Sequence, residues 1–250
     1  MPDLVVFRLY GPMAAWGDIA VGEERPSFSY PTRSGVFGLL AAALGIGREE
    51  DDRHRDLAES FWLGMLVNSP GTLLRDFHTV QVPPESAIRK QAWVRTRRDE
   101  LAIPRDDLGT IVSRREYVCD GLVTVFLWPT GRGSGAFTPE RVVQALASPA
   151  FVLYLGRKSC PLALPTGAQV VENAASIQEA YVRASFPETA LDRLQPEGPV
   201  RLYWEGGIAT GVSESGVLTF RRRDGIRSRS RRQFADRPEQ YAMVAMEGRR

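Results

Sequence analysis

Histidine and cysteine are scarce in this 250-residue chain: His54 and His78 are its histidines, Cys119 and Cys160 its cysteines. Two histidines exclude a three-histidine metal site, and no His-Glu-x-x-His pair occurs. The cysteines stand far apart and unaccompanied, so neither a disulfide scaffold nor a cysteine zinc site is credible. Lysine is rare too, and almost all of the 32 basic residues are arginine. The rigid arginine fork suits phosphates and stacking on bases, although a GC-rich genome gives the same bias. The spacing Gly-x-x-x-x-Gly-Lys-Ser is missing, since Gly156-Arg157-Lys158-Ser159 lacks the first glycine, and a Walker-type phosphate loop is excluded. No apolar run reaches membrane length and no basic-apolar leader opens the chain, so the expected location is the cytoplasm. No metal, no cofactor and no membrane partner are expected.

What is present is ordinary for a folded chain: 43% hydrophobic and 25% charged residues, enough length to bury a substantial core in one domain or two small ones. The formal net charge is +2, so the distribution of charge says more than its total.

The organising stretch is Pro31 to Ile46. Thr32 or Ser34 can cap a helix of about three turns, which Gly45 or Gly47 ends. The run leaves no wide polar face and is expected to be buried on several sides. Gly35, Gly38 and Ala42 form a small-residue stripe at helical spacing, where another backbone can come close. Two readings of the first turn stand open. Either small residues pack against a sheet, or free N–H groups, with Arg33 and the Ser34 hydroxyl beside them, receive a phosphate.

Around that helix, Leu4 to Leu9 predicts a central strand, and Ile19 to Tyr30, with Arg25 in it, a loop or short hairpin. Leu57 to Glu59 closes a short second helix, and Phe61 to Val67, Leu73 to Val80 and Leu122 to Trp128 read as strands. Thr138 caps a helix with Pro139 at its first position, ending at Ser148-Pro149, and Phe151 to Leu155 reads as a further strand. That order, βαββαβ, is the split βαβ of a ferredoxin-like or RNA-recognition domain, an α+β fold over residues 1–165. Residues 166–250 read as a β-rich accessory segment. In it Ser176 and Glu179 have capping-box spacing, Val200 to Trp204 and Val217 to Phe220 suit a long hairpin, and Tyr241 to Met246 a last strand.

The chemistry points to binding more than catalysis. Arg33-Ser34 opens a helix, Arg157-Lys158-Ser159 sits on a Gly-led turn, and Arg114-Arg115 precedes Tyr117 at the edge of a strand. All three are expected to converge on one edge of the sheet and grip the phosphates of single-stranded RNA held by loops. Trp16, beside Gly17, is either a core plug or an aromatic platform near the ligand. Gln81 to Ile111 places Arg89, Lys90, Arg95, Arg97 and Arg98 around Trp93, which suits an arm tracking a nucleic-acid backbone or a plain solvated hairpin. Arg221, Arg222, Arg223, Arg227, Arg229, Arg231 and Arg232 are offset there by Asp224 alone. Such a cluster attracts a nucleic-acid strand or duplex whatever its sequence, or is a solvated hairpin. Asp76 beside His78, with Tyr117 or Lys158, could form a metal-independent RNA-cleaving set; otherwise His78 simply hydrogen-bonds or contacts RNA without cutting it.

Six blocks carry a resemblance that each alone would not: Arg8 to Gly17, Pro31 to Leu40, Arg75 to Val80, Arg115 to Asp120, Tyr154 to Leu162 and Arg232 to Phe234. In this order they resemble the CasD family of type I-E CRISPR Cascade subunits, within the RAMP superfamily of antiviral defence. The resemblance implies a domain with a protruding thumb, here at about residues 81–112. It further implies a non-catalytic subunit that caps the backbone filament, clamps the 5′ handle of the guide RNA (crRNA), and contacts the large and backbone subunits, with target DNA nearby. By motif position it implies RNA contacts at Trp16, Gly17, Arg25, Arg33, Ser34, Arg75, His78, Arg114, Arg115, Tyr117, Arg157, Lys158, Ser159 and Cys160. Similar proteins of another subtype cleave RNA, so an endoribonuclease processing CRISPR repeat RNA is the runner-up. An assembly protein whose basic patches meet acidic protein surfaces is a third reading.

Overall fold

In the computed structural model, which describes residues 1–90, 93–186, 191, 194, 198–211 and 216–246, strand β1 (Leu4–Tyr10) is buried along almost its whole length. A run apolar on both faces requires cover on both sides of its sheet. Short strands β2 (Met13–Ala14), β3 (Trp16–Gly17), β4 (Glu24–Arg25) and β5 (Ser27–Phe28) lead to helix α1 (Arg33–Ala43). The Thr32 hydroxyl accepts the Gly35 N–H at 2.9 Å to cap α1, and Gly45, at φ +69°, ends it in the left-handed conformation glycine tolerates. Helix α2 (Asp51–Ser60) and strand β6 (Phe61–Ser69) follow without a loop.

Strands β7 (Thr72–Val82) and β8 (Gly109–Cys119) form a hairpin paired continuously from Thr72 opposite Cys119 to Val82 opposite Gly109. Helices α3 (Glu85–Lys90) and α4 (Arg97–Leu101) occupy its tip, so the insertion expected at Gln81 to Ile111 is the far end of a longer ladder. Strand β9 (Leu122–Pro129), helix α5 (Pro139–Ala147), strand β10 (Gln169–Val171), helix α6 (Ile177–Arg183) and strands β11 (Val200–Trp204), β12 (Leu218–Ser228) and β13 (Gln233–Val244) complete the order. The expected caps form here as well: Thr138 accepts the Arg141 N–H at 3.3 Å with Pro139 leading, and Ser176 accepts that of Glu179 at 3.1 Å.

The fold is a mixed α/β arrangement built on an antiparallel seven-stranded sheet, ordered β10-β1-β9-β6-β11-β13-β12. Alternation along β1 divides the core. Val5, Phe7 and Leu9 pack on the face covered by α1 and α5, while Leu4 and Val6 pack on the face with Ile177, Ala180 and Tyr181 of α6. Among the described residues no helix is long and apolar enough to cross a membrane.

Two sequence expectations change. Phe151 to Leu155 forms no strand, because Ala150 and Phe151 give their N–H groups to Ala43 and Ala42 at the end of α1, at 3.0 and 3.1 Å. Tyr154 makes only an isolated bridge to Pro161, and Gln169–Val171 takes the place beside β1. Nor do β11 and β12 form a hairpin. β13 lies between them, so β12 pairs with the strand after it.

Candidate nucleic-acid interface

Two close approaches assemble the site. Gly156 has φ +86°, and a Cβ there would lie 1.8 Å from the Ala15 carbonyl oxygen, so only glycine lets the 156–160 turn press onto the backbone before Trp16. At Gly35 a Cβ would stand 3.0 Å from the Thr32 hydroxyl oxygen and, at 3.7 Å, in ordinary contact with the Trp16 ring. Trp16 is buried in the core, and its N–H donates to the Ser27 hydroxyl at 2.9 Å. Of the two readings of Trp16, the structure selects the core plug.

Arg33 is turned inward. Its Nε meets Glu205 Oε1 at 2.7 Å, its Nη2 donates to the Ala58 carbonyl at 2.8 Å, and its guanidinium covers the Phe37 ring at 4.2 Å. Its backbone N–H donates to Asp224 Oδ2 at 2.6 Å. The Arg33 N–H is therefore already taken by a carboxylate of the chain itself and its guanidinium by Glu205, so neither is left free for the phosphate expected there. Ser34 remains at the surface of the cleft described next, its hydroxyl 3.1 Å from that of Thr32.

Asp224 belongs to a charge-balanced buried network. Arg33, Arg222 and Arg237 face Glu205, Asp224 and Glu239, with Arg237 to Asp224 at 2.6 Å and Arg222 to Glu239 at 3.3 Å. The Arg222 guanidinium is 4.2 Å from both the Phe28 and Tyr30 rings, and Tyr30 stacks on Tyr203 at 3.8 Å. Burial, above all, pushes the Tyr30 hydroxyl well above the usual tyrosine range, and it donates to Glu239 at 2.7 Å. Buried charges persist only when paired in this way.

Above this network lies an open cleft of about 1480 Å³, bounded by Trp16, Gly17, Ser34 and Gly35 on one side and by β12, β13 and their turn on the other. Period-two alternation on β12 sends Arg222 and Asp224 into the network and leaves Arg221 and Arg223 exposed at the cleft. Arg227, Arg231 and Arg232 are exposed there too, and among the described residues none of these five has a carboxylate within salt-bridge distance. Arg229 is not part of that exposed set. It lies over Gly38 and donates to the Ser34 carbonyl, and burial, with Arg48 nearby, holds its guanidinium below the usual arginine range.

A second group gathers at the base of the β7–β8 hairpin. β4 runs beside β8 with Arg25 opposite Arg115, and Arg157 donates to the carbonyls of Arg25 and Glu116, both at 3.2 Å, while covering Tyr117 at 4.7 Å. Arg75 pairs with Glu116 at 2.9 Å and Arg114 with Glu24 at 2.7 Å, whereas among the described residues Arg115 has no such partner. Glu116 also accepts the Ser27 N–H at 3.2 Å, which joins this group to Trp16. Lys158 and Ser159 are exposed on the Gly156 turn, and Cys160 is fully buried beneath it, where burial pushes its thiol up.

Of the residues weighed for catalysis, Asp76 and His78 meet, and Tyr117 lies apart from them. His78 contacts Asp76 at 2.5 Å and sits opposite Ser113, four residues along β8 from Tyr117. That offset separates the two by about 13 Å. Tyr117 is buried under Arg157. At the hairpin tip Arg89 pairs with Glu85 at 2.7 Å and Arg97 with Glu100 at 2.6 Å; Arg95 is exposed, and the Lys90 side chain lies outside the described residues. Among the described residues no cluster of three or more His, Cys, Asp or Glu side chains forms a metal-binding group. Sequence reasoning missed Glu205, whose partner Arg33 is 172 positions away, and Arg237 and Glu239, which are neighbours on β13 but give no sign in the sequence that their face of the strand is buried. The alternation of β12 was the one pattern that could have separated its arginines.

This architecture is shared by solved CRISPR proteins. A chain of a CRISPR RNA-guided surveillance complex aligns over 98% of this chain and 90% of its own, with TM-score 0.63 and 26% identity. A crystallised Cas protein aligns over 98% and 96%, with TM-score 0.56 and 23% identity, a likeness of fold. The family described as CRISPR-associated protein (Cas_Cas5) matches residues 4–240, and the chain belongs to that family. It is 32% identical over 246 residues to the CRISPR system Cascade subunit CasD of Escherichia coli (strain K12), covering 95% of this chain and 94% of the relative.

Proposed function

We propose that this chain is a non-catalytic RNA-binding subunit of a type I-E CRISPR surveillance complex. It holds the 5′ handle of the guide RNA and caps the backbone filament, with the large and backbone subunits as protein partners. The observation that carries this is the cleft. Five arginines without carboxylate partners among the described residues face it, while the buried Arg33, Arg222 and Arg237 beside it are balanced by three acids. Unneutralised guanidiniums at a surface suit phosphates, and the Ser34 hydroxyl at the cleft adds a donor. The hairpin-base group of Arg25, Arg75, Arg114, Arg115 and Arg157, with Lys158 and Ser159, extends the path. Tyr117 and Cys160 support it from below. In this reading Arg227 and Arg231 meet the guide backbone, with target DNA nearby.

Two structural readings accompany it. The order β10-β1-β9-β6 supports a ferredoxin-like split βαβ along one side of the sheet, with β10 supplied by the accessory segment 166–250 and β11–β13 of that segment added beside β6. The β7–β8 hairpin with its helical tip is the proposed thumb, and Arg89, Lys90, Arg95 and Arg97 lie on it as candidate backbone contacts. The separation of His78 from Tyr117 supports a subunit that holds RNA without cutting it.

The test is to sequence the RNA that co-purifies with the chain and then incubate the protein with the matching repeat transcript. Handle-bearing RNA, bound and uncut, is the expected result. Cleavage that disappears in His78→Ala would establish the endoribonuclease instead, and incorporation into its complex without RNA would favour an assembly role.

A further inference from the structure

Asp51 opens α2, yet its side chain reaches across to the turn between β12 and β13. Its Oδ1 accepts the N–H groups of Arg229 at 2.7 Å and Ser230 at 3.1 Å. Its Oδ2 accepts the hydroxyls of Ser228 at 2.7 Å and Ser230 at 2.6 Å. One carboxylate thus gathers four donors from three successive residues. The Ser228 hydroxyl passes the restraint on by accepting the Arg231 N–H at 3.1 Å. Next to it Arg232 stands at φ +54°, a left-handed conformation that a long side chain seldom adopts unless its surroundings impose it.

This turn has a reason to need fastening. Arg227, Arg229, Arg231 and Arg232 fall within six residues, and Asp236 is the next acidic residue along the chain. Like charges so close repel and would open a free turn. The carboxylate that holds it comes from another element, at the start of a helix, where negative charge is itself favoured.

We propose that Asp51 is a positioning residue for RNA binding: it fastens the arginine turn at the mouth of the cleft, so that Arg227, Arg231 and Arg232 are arranged before RNA arrives. This rests on the reading of the cleft given above. The benefit is preorganisation, because an ordered turn loses less freedom when it binds.

The experiment is a double-mutant cycle on the full chain, titrated with a labelled single-stranded RNA of repeat sequence at several salt concentrations. Asp51→Asn is expected to weaken binding about tenfold. It should also lower the slope of log affinity against log salt by about 1.4, equivalent to two lost phosphate contacts on a single strand. In a background of Arg227→Gln, Arg231→Gln and Arg232→Gln the same change should add less than about twofold, because the groups it positions are gone. A merely structural role would cost the same in both backgrounds and leave the slope alone, and either result overturns the proposal. If the triple arginine variant binds RNA as the unaltered chain does, the cleft reading itself fails, a distinct outcome. Should Asp51→Asn not fold, Ser228→Ala with Ser230→Ala removes two of the four donors and enters the same cycle with the same expectations.

Discussion

Arg229 lies across Gly38: its Nη2 is 2.5 Å from where a Cβ on residue 38 would stand, and it donates to the Ser34 carbonyl one turn earlier. The small-residue stripe of α1 therefore admits a guanidinium from the end of β12, where the sequence suggested the close approach of another backbone. Helix and arginine turn are locked together at this contact.

Gly38→Ala should separate stability from binding. Alanine is favoured over glycine in a helix by about 1 kcal/mol, and the atom it would meet is the free end of a flexible side chain. The unfolding free energy should therefore change by less than about 1 kcal/mol. RNA affinity should fall severalfold, because Arg229 and the turn it anchors are displaced. Denaturant titration beside RNA titration measures both, and undiminished affinity would show that the contact plays no part in binding.

Arg33→Gln should behave in the opposite way. It leaves Glu205 without the guanidinium at 2.7 Å, and breaking a buried pair from one side costs about 3–5 kcal/mol. The fraction that remains folded should bind RNA almost as before, since Arg33 faces the network and not the cleft. A large drop in affinity at full folding would return Arg33 to the RNA.

Gly156→Ala places a side chain at φ +86° and drives its Cβ to 1.8 Å from the Ala15 carbonyl. The left-handed conformation alone costs about 1–3 kcal/mol for a residue with a side chain, and the clash adds to it. The 156–160 turn should lift from Ala15, lowering the thermal midpoint and exposing Lys158 to trypsin. A midpoint equal to that of the unaltered chain would contradict the close approach.

Stability should fall as the solution is acidified from neutrality. Burial first, and Arg229 second, hold the His54 imidazole below its ordinary value of 6.5. The unfolded chain then takes up a proton before the folded one does, so the stabilisation is whole above about pH 6.5 and is lost as pH falls through the depressed value. His54→Gln should flatten stability measured between about pH 7 and pH 5. A profile that keeps its full slope would place the titration elsewhere.

Local signals were legible where they act locally. Thr32, Thr138 and Ser176 cap the three helices expected of them, and Gly45 ends the first, because a cap is decided within four residues of chain. Phe151 to Leu155 misled because an apolar run does not reveal what its N–H groups will meet, and here that of Phe151, with that of Ala150 just before it, closes α1. Val200 to Trp204 and Leu218 onward were each legible as strand, but their pairing was not, since β13 enters between them from later in the chain.

Six blocks taken together, from Arg8 to Gly17 through Arg232 to Phe234, were enough to indicate the family, and Arg33-Ser34, Arg114-Arg115 and Gly156-Arg157-Lys158-Ser159 pointed to an RNA-binding chemistry. What the sequence could not assign was the fate of each arginine. Arg221, Arg222 and Arg223 are adjacent and chemically alike, yet Arg222 lies against the Phe28 and Tyr30 rings and is paired with Glu239, while its neighbours face open solvent in the cleft. Arg33, the expected phosphate ligand, is instead claimed by Glu205. A guanidinium goes where a carboxylate can compensate its lost hydration, and those carboxylates come from strands that only the folded sheet brings alongside.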